Sequence, residues 1–215
     1  MPRPSRNVDQ LMIEAGHALL PQTGVRGLSI RQVTERAGVN LGMFHYHFKT
    51  KDAFVRTLLE QKYNDMFANL QTKSRSNKSA LENLRASITV LARFARDNRA
   101  MLVHLLGDTL AGEVIALEFM RANMPRHLHV VIELLLRAQK EGTLRKLPIS
   151  QALTFLMGAM AAPILVGGAA IHSGLVPQLI QKQLEQNVFT DAAIAERLEM
   201  ALLGMAALKK TGARK

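Results

Sequence analysis

The tightest constraint on the fold lies between Leu28 and Lys51, in the segment LSIRQVTERAGVNLGMFHYHFKTK. Two short helical patterns meet there at Ala37-Gly38-Val39. Ser29 is a good N-cap for a helix reaching Arg36. Gly38 is free to take the left-handed conformation that a tight turn needs. Asn40 caps a third helix that ends near Phe48. Ile30, Val33 and Ala37 are expected to pack inward with Val39, Phe44 and Phe48. That leaves Asn40, Leu41, Met43, His45, Tyr46 and His47 on or near the surface of the second helix of the pair. Two helices joined this way form a helix-turn-helix, and the N-terminal residues of such a second helix reach base edges in a DNA major groove.

The remaining chain reads helical nearly throughout, with no period-two stretch long enough for a sheet and no internal repeat. A first helix is predicted from Val8 to Leu20, with Leu11, Ala15, Ala18 and Leu19 on one face and Pro21 with Gly24 ending it. Thr50 caps a long helix reaching Leu70, with Asp52 placed favourably in its first turn. The polar stretch from Gln71 to Ser79 is the expected domain boundary. Further helices are predicted near Ala80–Asn98, Ala100–Leu110, Gly112–Ala122, Pro125–Glu141, Ser150–His172 and Asp191–Leu208. The connection from Ser173 to Thr190 is expected to hold one extra turn, and the basic tail after Ala207 to fray. The fold class is therefore all-α: a three-helix N-terminal module at 1–51, a linking helix at about 50–70, and a larger helical domain at 71–215.

A formal charge of +11 on 215 residues favours polyanionic partners. Residues 1–79 hold 12 Lys/Arg against 6 Asp/Glu, and residues 80–215 hold 16 against 11, so the excess leans mildly towards the N-terminal module. Cysteine is absent, which removes disulfides, thiolate nucleophiles and cysteine zinc sites and suits the cytoplasm. The polar N-terminus reads as lacking a signal peptide. From Leu153 to Ile171 the chain is almost wholly apolar and barely long enough to span a bilayer. Its Ala and Gly content, the central Pro163 and the lack of an aromatic belt favour a buried or subunit-interface helix instead.

The segment resembles the TetR (tetracycline-repressor) family of bacterial regulators. The residues that carry the likeness are Ala37-Gly38-Val39-Asn40, Gly42, the His45–Phe48 stretch and Lys51, within a match from about Leu11 to Leu59. The resemblance implies that Ser29, Asn40, His47 and Lys51 hold phosphates, contacts that position a protein without reading sequence. It implies that Leu41, Gly42, Met43 and Tyr46 face the bases, with Arg31 and His45 as further contacts. Three positions depart from the family pattern: His45 replaces a tyrosine, Asn40 a serine, and Leu41 a frequent Lys or Arg. His45-x-His47 lacks nearby third and fourth ligands, so no metal site is expected, and no cofactor is.

The resemblance also implies a homodimer through the last two long helices. Ala159, Ala161, Ala162, Gly167, Gly168 and Ala169 allow close approach, and Ala195, Leu198, Ala201, Leu202 and Met205 form an apolar stripe. An effector pocket is expected from Phe94, Met101, His104, Leu105, Phe119, Met120, Met124, His127, Phe155 and Met157, most of them flexible or aromatic apolar residues. The expected function is a DNA-binding repressor on a palindromic operator, released by a small, largely apolar ligand. An activator of the same family is the alternative, followed by a helical membrane-associated or scaffolding protein. No nucleophile elbow, phosphate-cradling glycine loop or His-Glu-x-x-His occurs, so an enzyme is not expected.

Overall fold

A computed structural model describes residues 7–207, which form helices and no strand. In order these are α1 (Val8–Gly27), α2 (Ile30–Ala37), α3 (Leu41–Phe48), α4 (Lys51–Ser74), α5 (Ala80–Asp97), α6 (Arg99–Leu110), α7 (Val114–Lys140), α8 (Ile149–His172), α9 (Gln178–Asn187) and α10 (Asp191–Gly204). The class is all-α, as the apolar periodicity implies. The N-terminal Met1–Arg6 segment and the basic tail expected to fray lie outside the described residues.

Several boundaries differ from the sequence reading. Pro21 does not end α1; it sits inside it, and the helical path breaks only at Gly24 (φ 65°, ψ −173°). Thr23 Oγ1 donates to the Leu19 carbonyl at 3.2 Å across this stretch. Leu11 is exposed, and the buried face is Val8, Met12, Ile13, Ala15, Gly16 and Leu20. The two helices expected at 112–122 and 125–141 are one, α7, with Pro125 inside it. The extra turn expected after Ser173 is the ten-residue α9. The last helix stops at Gly204, where the Met205 amide closes onto the carbonyls of Ala201 and Leu202.

α4 runs into the polar stretch as far as Ser74. The rest of that stretch ends in a capping box at Ser79-Ala-Leu-Glu82: the Glu82 amide donates to Ser79 Oγ at 3.2 Å, and Ser79 Oγ donates to Glu82 Oε2 at 2.7 Å. The Ser79 hydroxyl, its amide and nearby Lys78 hold the Glu82 carboxyl below its ordinary range.

Two compact units result. The first holds residues 7–65 with 98–124, the second 66–97 with 125–207. α1 packs on α2, α3 and α6 in the first unit. In the second, α5, α8 and α10 pack on one another around Leu84, Ile88, Leu156, Ile164, Ile194 and Leu198, all buried. Arg85 grips the Glu199 carboxylate with two nitrogens, and Arg93 with Arg96 holds Asp191, so α10 is tied to α5 at two places. The chain between α7 and α8 is pinned where the Arg145 amide donates to the Met205 carbonyl at 2.9 Å.

Candidate nucleic-acid interface

The reader is built from α2 and α3. Gly38 takes a left-handed conformation (φ 67°, ψ 31°), and its amide and that of Val39 return to the carbonyls of Glu35 and Thr34 at 3.2 and 3.0 Å. These bonds close the end of α2 and turn the chain sharply. Asn40 then starts α3, its Oδ1 accepting the Met43 amide at 3.0 Å. A cap of this kind is worth about 1 kcal/mol. At the far end the Lys49 backbone is left-handed (φ 61°) and its amide donates to the His45 carbonyl. A carbonyl can only accept, so His45 Nδ1 donates to Lys49 O at 3.1 Å and leaves Nε2 as its free nitrogen.

One face of α3 is locked by aromatic rings. Phe44 is fully buried, 5.2 Å from Phe54 of α4, and Phe48 stands 4.7 Å from the same ring, both edge-on. Edge-to-face pairs at these distances add to the stabilisation from burial. The opposite face is open. Tyr46 is 78% exposed and Leu41 52%, while Asn40, Gly42, His45 and His47 are also exposed and Met43 is half-buried. Val33 is buried; Ile30, Ala37, Val39 and Phe48, expected inside, are half-buried.

The flanking contacts are more engaged than the sequence suggests. Ser29 occupies the N-cap position of α2, yet its hydroxyl makes no cap bond, so that group is not spent on the helix. Arg31 is exposed and pairs with Glu35 one turn on, at 2.7 Å. This contact raises the pKa of the Arg31 guanidinium. Lys51 Nζ donates to the Arg26 carbonyl at 3.0 Å, fastening the end of α1, and its ammonium has two more protons to offer. Arg26, Arg36 and Lys49, which the sequence reading did not single out, add exposed cationic side chains to this unit.

Residues 12–58 match the family model described as bacterial regulatory proteins, tetR family. The "Probable HTH-type transcriptional regulator YttP" of Bacillus subtilis (strain 168) is 20% identical over 156 residues, covering 72% of this chain and 75% of its own. PfmR, a TetR-family transcriptional regulator from Thermus thermophilus, superposes with a TM-score of 0.64 at 16% identity, over 93% of this chain and 96% of that one. FadR from Bacillus subtilis, a transcriptional regulator solved in complex with stearoyl-CoA, gives 0.68 at 15%, over 91% and 98%. The segment from residue 12 to 58 carries the tetR-family pattern. The curated relatives it resembles are named as HTH-type transcriptional regulators, and the solved TetR-family structures share its all-α fold.

The expected effector pocket lies outside the matched segment. The structure divides its ten residues between the two units. Met101, His104, Leu105, Phe119, Met120 and Met124 belong to the first, and Phe94, His127, Phe155 and Met157 to the second. Met101 and Leu105 are buried core, and Phe119 packs edge-on against Tyr63. His104 stands beside the break in α1: a Cβ on Gly24 would lie 3.3 Å from His104 Cβ. Phe155 and Met157 are exposed on α8, and Phe155 lines a cavity of about 330 Å³ with none of the other nine.

The residue missed altogether is Asp108 on α6. Its Oδ2 accepts the Val25 amide at 2.7 Å, across 83 residues of sequence. A lone aspartate in a helix carries no local sign of such a contact.

Proposed function

We propose that the protein is a repressor that binds a palindromic operator as a homodimer and is released by a small, largely apolar effector. The observation that carries this reading is α3, which is clamped by Phe44 and Phe48 on one face and presents Leu41, Gly42 and Tyr46 to solvent on the other. Leu41, Gly42, Met43 and Tyr46 face the bases, and apolar contact there suits a thymine methyl. Ser29, Asn40, His47 and Lys51 hold phosphates, and Arg31 and His45 border them. Arg31 exchanges its contact with Glu35 for DNA. Residues 1–51 serve as reader, the helix at about 50–70 as link, and 71–215 as the effector and dimerisation part. The protein acts in the cytoplasm, beside the chromosome.

The dimer reading has its own support. The α10 stripe expected to meet a partner is instead the chain's own core: Leu198, Ala201, Leu202 and Met205 are buried. Gly167 is likewise buried, with a Cβ there lying 3.3 Å from Phe189. What stays open is the other side, with Val166 67%, Met200 57% and Leu203 71% exposed. Exposed apolar side chains on two long helices suit a four-helix interface between two copies. α8 also has the length and composition of a membrane span, with a mean hydropathy of 1.8 over 18 residues and only 22% of that window buried. That feature supports a membrane-associated alternative, and the dimer accounts for it without a bilayer.

Effector release needs two states of the reader pair that a ligand binds unequally. α4 carries residues of both units and is the lever. FadR, with its acyl thioester ligand, supports an apolar effector by analogy.

The test is detergent-free purification followed by sedimentation and a DNA titration over a salt series, with DNA from upstream of its own gene. A soluble dimer should bind there, and its affinity should fall by about 10³-fold or more between about 50 and 200 mM salt. Extraction only with detergent, or equal weak binding to every DNA, would contradict the proposal.

A further inference from the structure

We propose that the cleft between the C-terminal part of α4 and the middle of α7 binds the charged head of an anionic amphiphile, a carboxylate or phosphate ester on an apolar chain. This deepens the effector reading above and rests on it. The cleft encloses about 620 Å³ within the second unit. That falls inside the roughly 300–1,000 Å³ typical of small-molecule sites.

Its chemistry is two-sided. Leu134 is buried in it, and Phe67 and Val130 are half-buried, which gives an apolar floor. Arg75, Arg126 and Arg137 stand on the lining with a single carboxylate, Glu133. The Arg126 guanidinium carbon lies 4.3 Å from the centre of the Phe67 ring, a stacking that orients its planar fork. Arg31, Arg56, Arg85, Arg93 and Arg96 all pair with carboxylates. Neither Arg75 nor Arg137 forms an ion pair among the described residues. Guanidinium groups match carboxylate and phosphate oxygens with paired hydrogen bonds, and an apolar floor beneath them selects an anion that carries a hydrocarbon. None of the ten residues expected to form the pocket lines this cleft.

The experiment is calorimetric titration of the full chain with sodium decanoate, decyl phosphate, decanol and inorganic phosphate, all below micelle formation. One or both anionic amphiphiles should bind once per chain, at least tenfold more tightly than decanol or inorganic phosphate, and their order identifies the head group. The Arg75→Gln/Arg137→Gln double variant, changed only at exposed side chains, should melt like the parent and bind at least tenfold more weakly. Decanol binding as tightly as decanoate, no amphiphile binding, or an unaffected double variant would each overturn the proposal. The same preparations are titrated with DNA. Retained DNA binding without amphiphile binding rejects the cleft alone, whereas loss of specific DNA binding by the parent rejects the regulator reading beneath it.

Discussion

Asp108 Oδ2 accepts the Val25 amide at 2.7 Å and the Arg26 amide at 3.4 Å, so a carboxylate from α6 seals the break at Gly24 near the end of α1. A Cβ on Gly24 would lie only 2.7 Å from that oxygen, and its φ of 65° is one that side-chain-bearing residues rarely adopt. Asp108→Ala leaves a buried amide without its acceptor and should cost about 1–3 kcal/mol. Asp108→Asn keeps an acceptor oxygen and should cost less. Urea unfolding of the full chain measures both, and equal stability of all three proteins would show that the contact holds nothing.

Phe44 and Tyr46 sit two residues apart on α3 and should fail in opposite ways. Phe44→Ala empties the ring cluster with Phe48 and Phe54 and should cost about 3–5 kcal/mol. Tyr46→Ala removes an exposed ring and should leave stability within about 0.5 kcal/mol. DNA binding should nevertheless weaken about tenfold, as for a lost base contact. Thermal melts and DNA titrations on the same samples separate the two effects.

What the sequence disclosed was mostly local. The Gly38 turn and the Asn40 cap depend on residues within five positions of each other, so their types suffice to place them. The prolines misled because a missing helical bond is only one term. At Pro125, α7 continues across the missing amide with Ile115, Ala116 and Val131 buried on either side. Pro21 is carried through in the same way by burial of Leu20 and Val25. The Ser79–Glu82 capping box is local too, a serine followed three residues on by a glutamate. The roles of α10 residues were not legible, because an amphipathic stripe does not say whether its partner is the same chain or another. The Asp108 contact and the α4–α7 cleft join residues some 50 to 80 positions apart, where type and spacing carry no signal.

Leu203 and Val166 are exposed on α10 and α8 and should be dispensable to the single chain. Leu203→Glu with Val166→Glu should leave the helical signal unchanged but convert a dimer to a monomer in sedimentation. Affinity for a palindromic site should drop steeply with it, since each reader then binds alone. A variant that stays dimeric places the interface elsewhere.

His17 should make the first unit sensitive to acid. Its burial lowers the imidazole pKa below the ordinary 6.5, outweighing the bond to Gln61 at 3.2 Å; nearby Lys62 lowers it further and Asp65 opposes. Above 6.5 both folded and unfolded states are neutral at this position and its stability is intact. Below it the unfolded chain takes up a proton that the folded one resists, so stability falls as pH drops towards the folded pKa. His17→Gln should therefore lose less melting temperature than the parent between about pH 7.5 and 5.5. An identical or steeper loss would remove His17 from the acid response.

Two copies of α3 should read one palindromic DNA site. Selection of bound duplexes from a random pool by the purified full chain tests it most directly. An inverted repeat whose half-sites are centred about 10 base pairs apart, or a multiple of that, should be enriched, and Tyr46→Ala should enrich it more weakly. A pool that stays random through successive rounds, while binding remains salt-sensitive, would contradict it and leave only charge holding the protein to DNA.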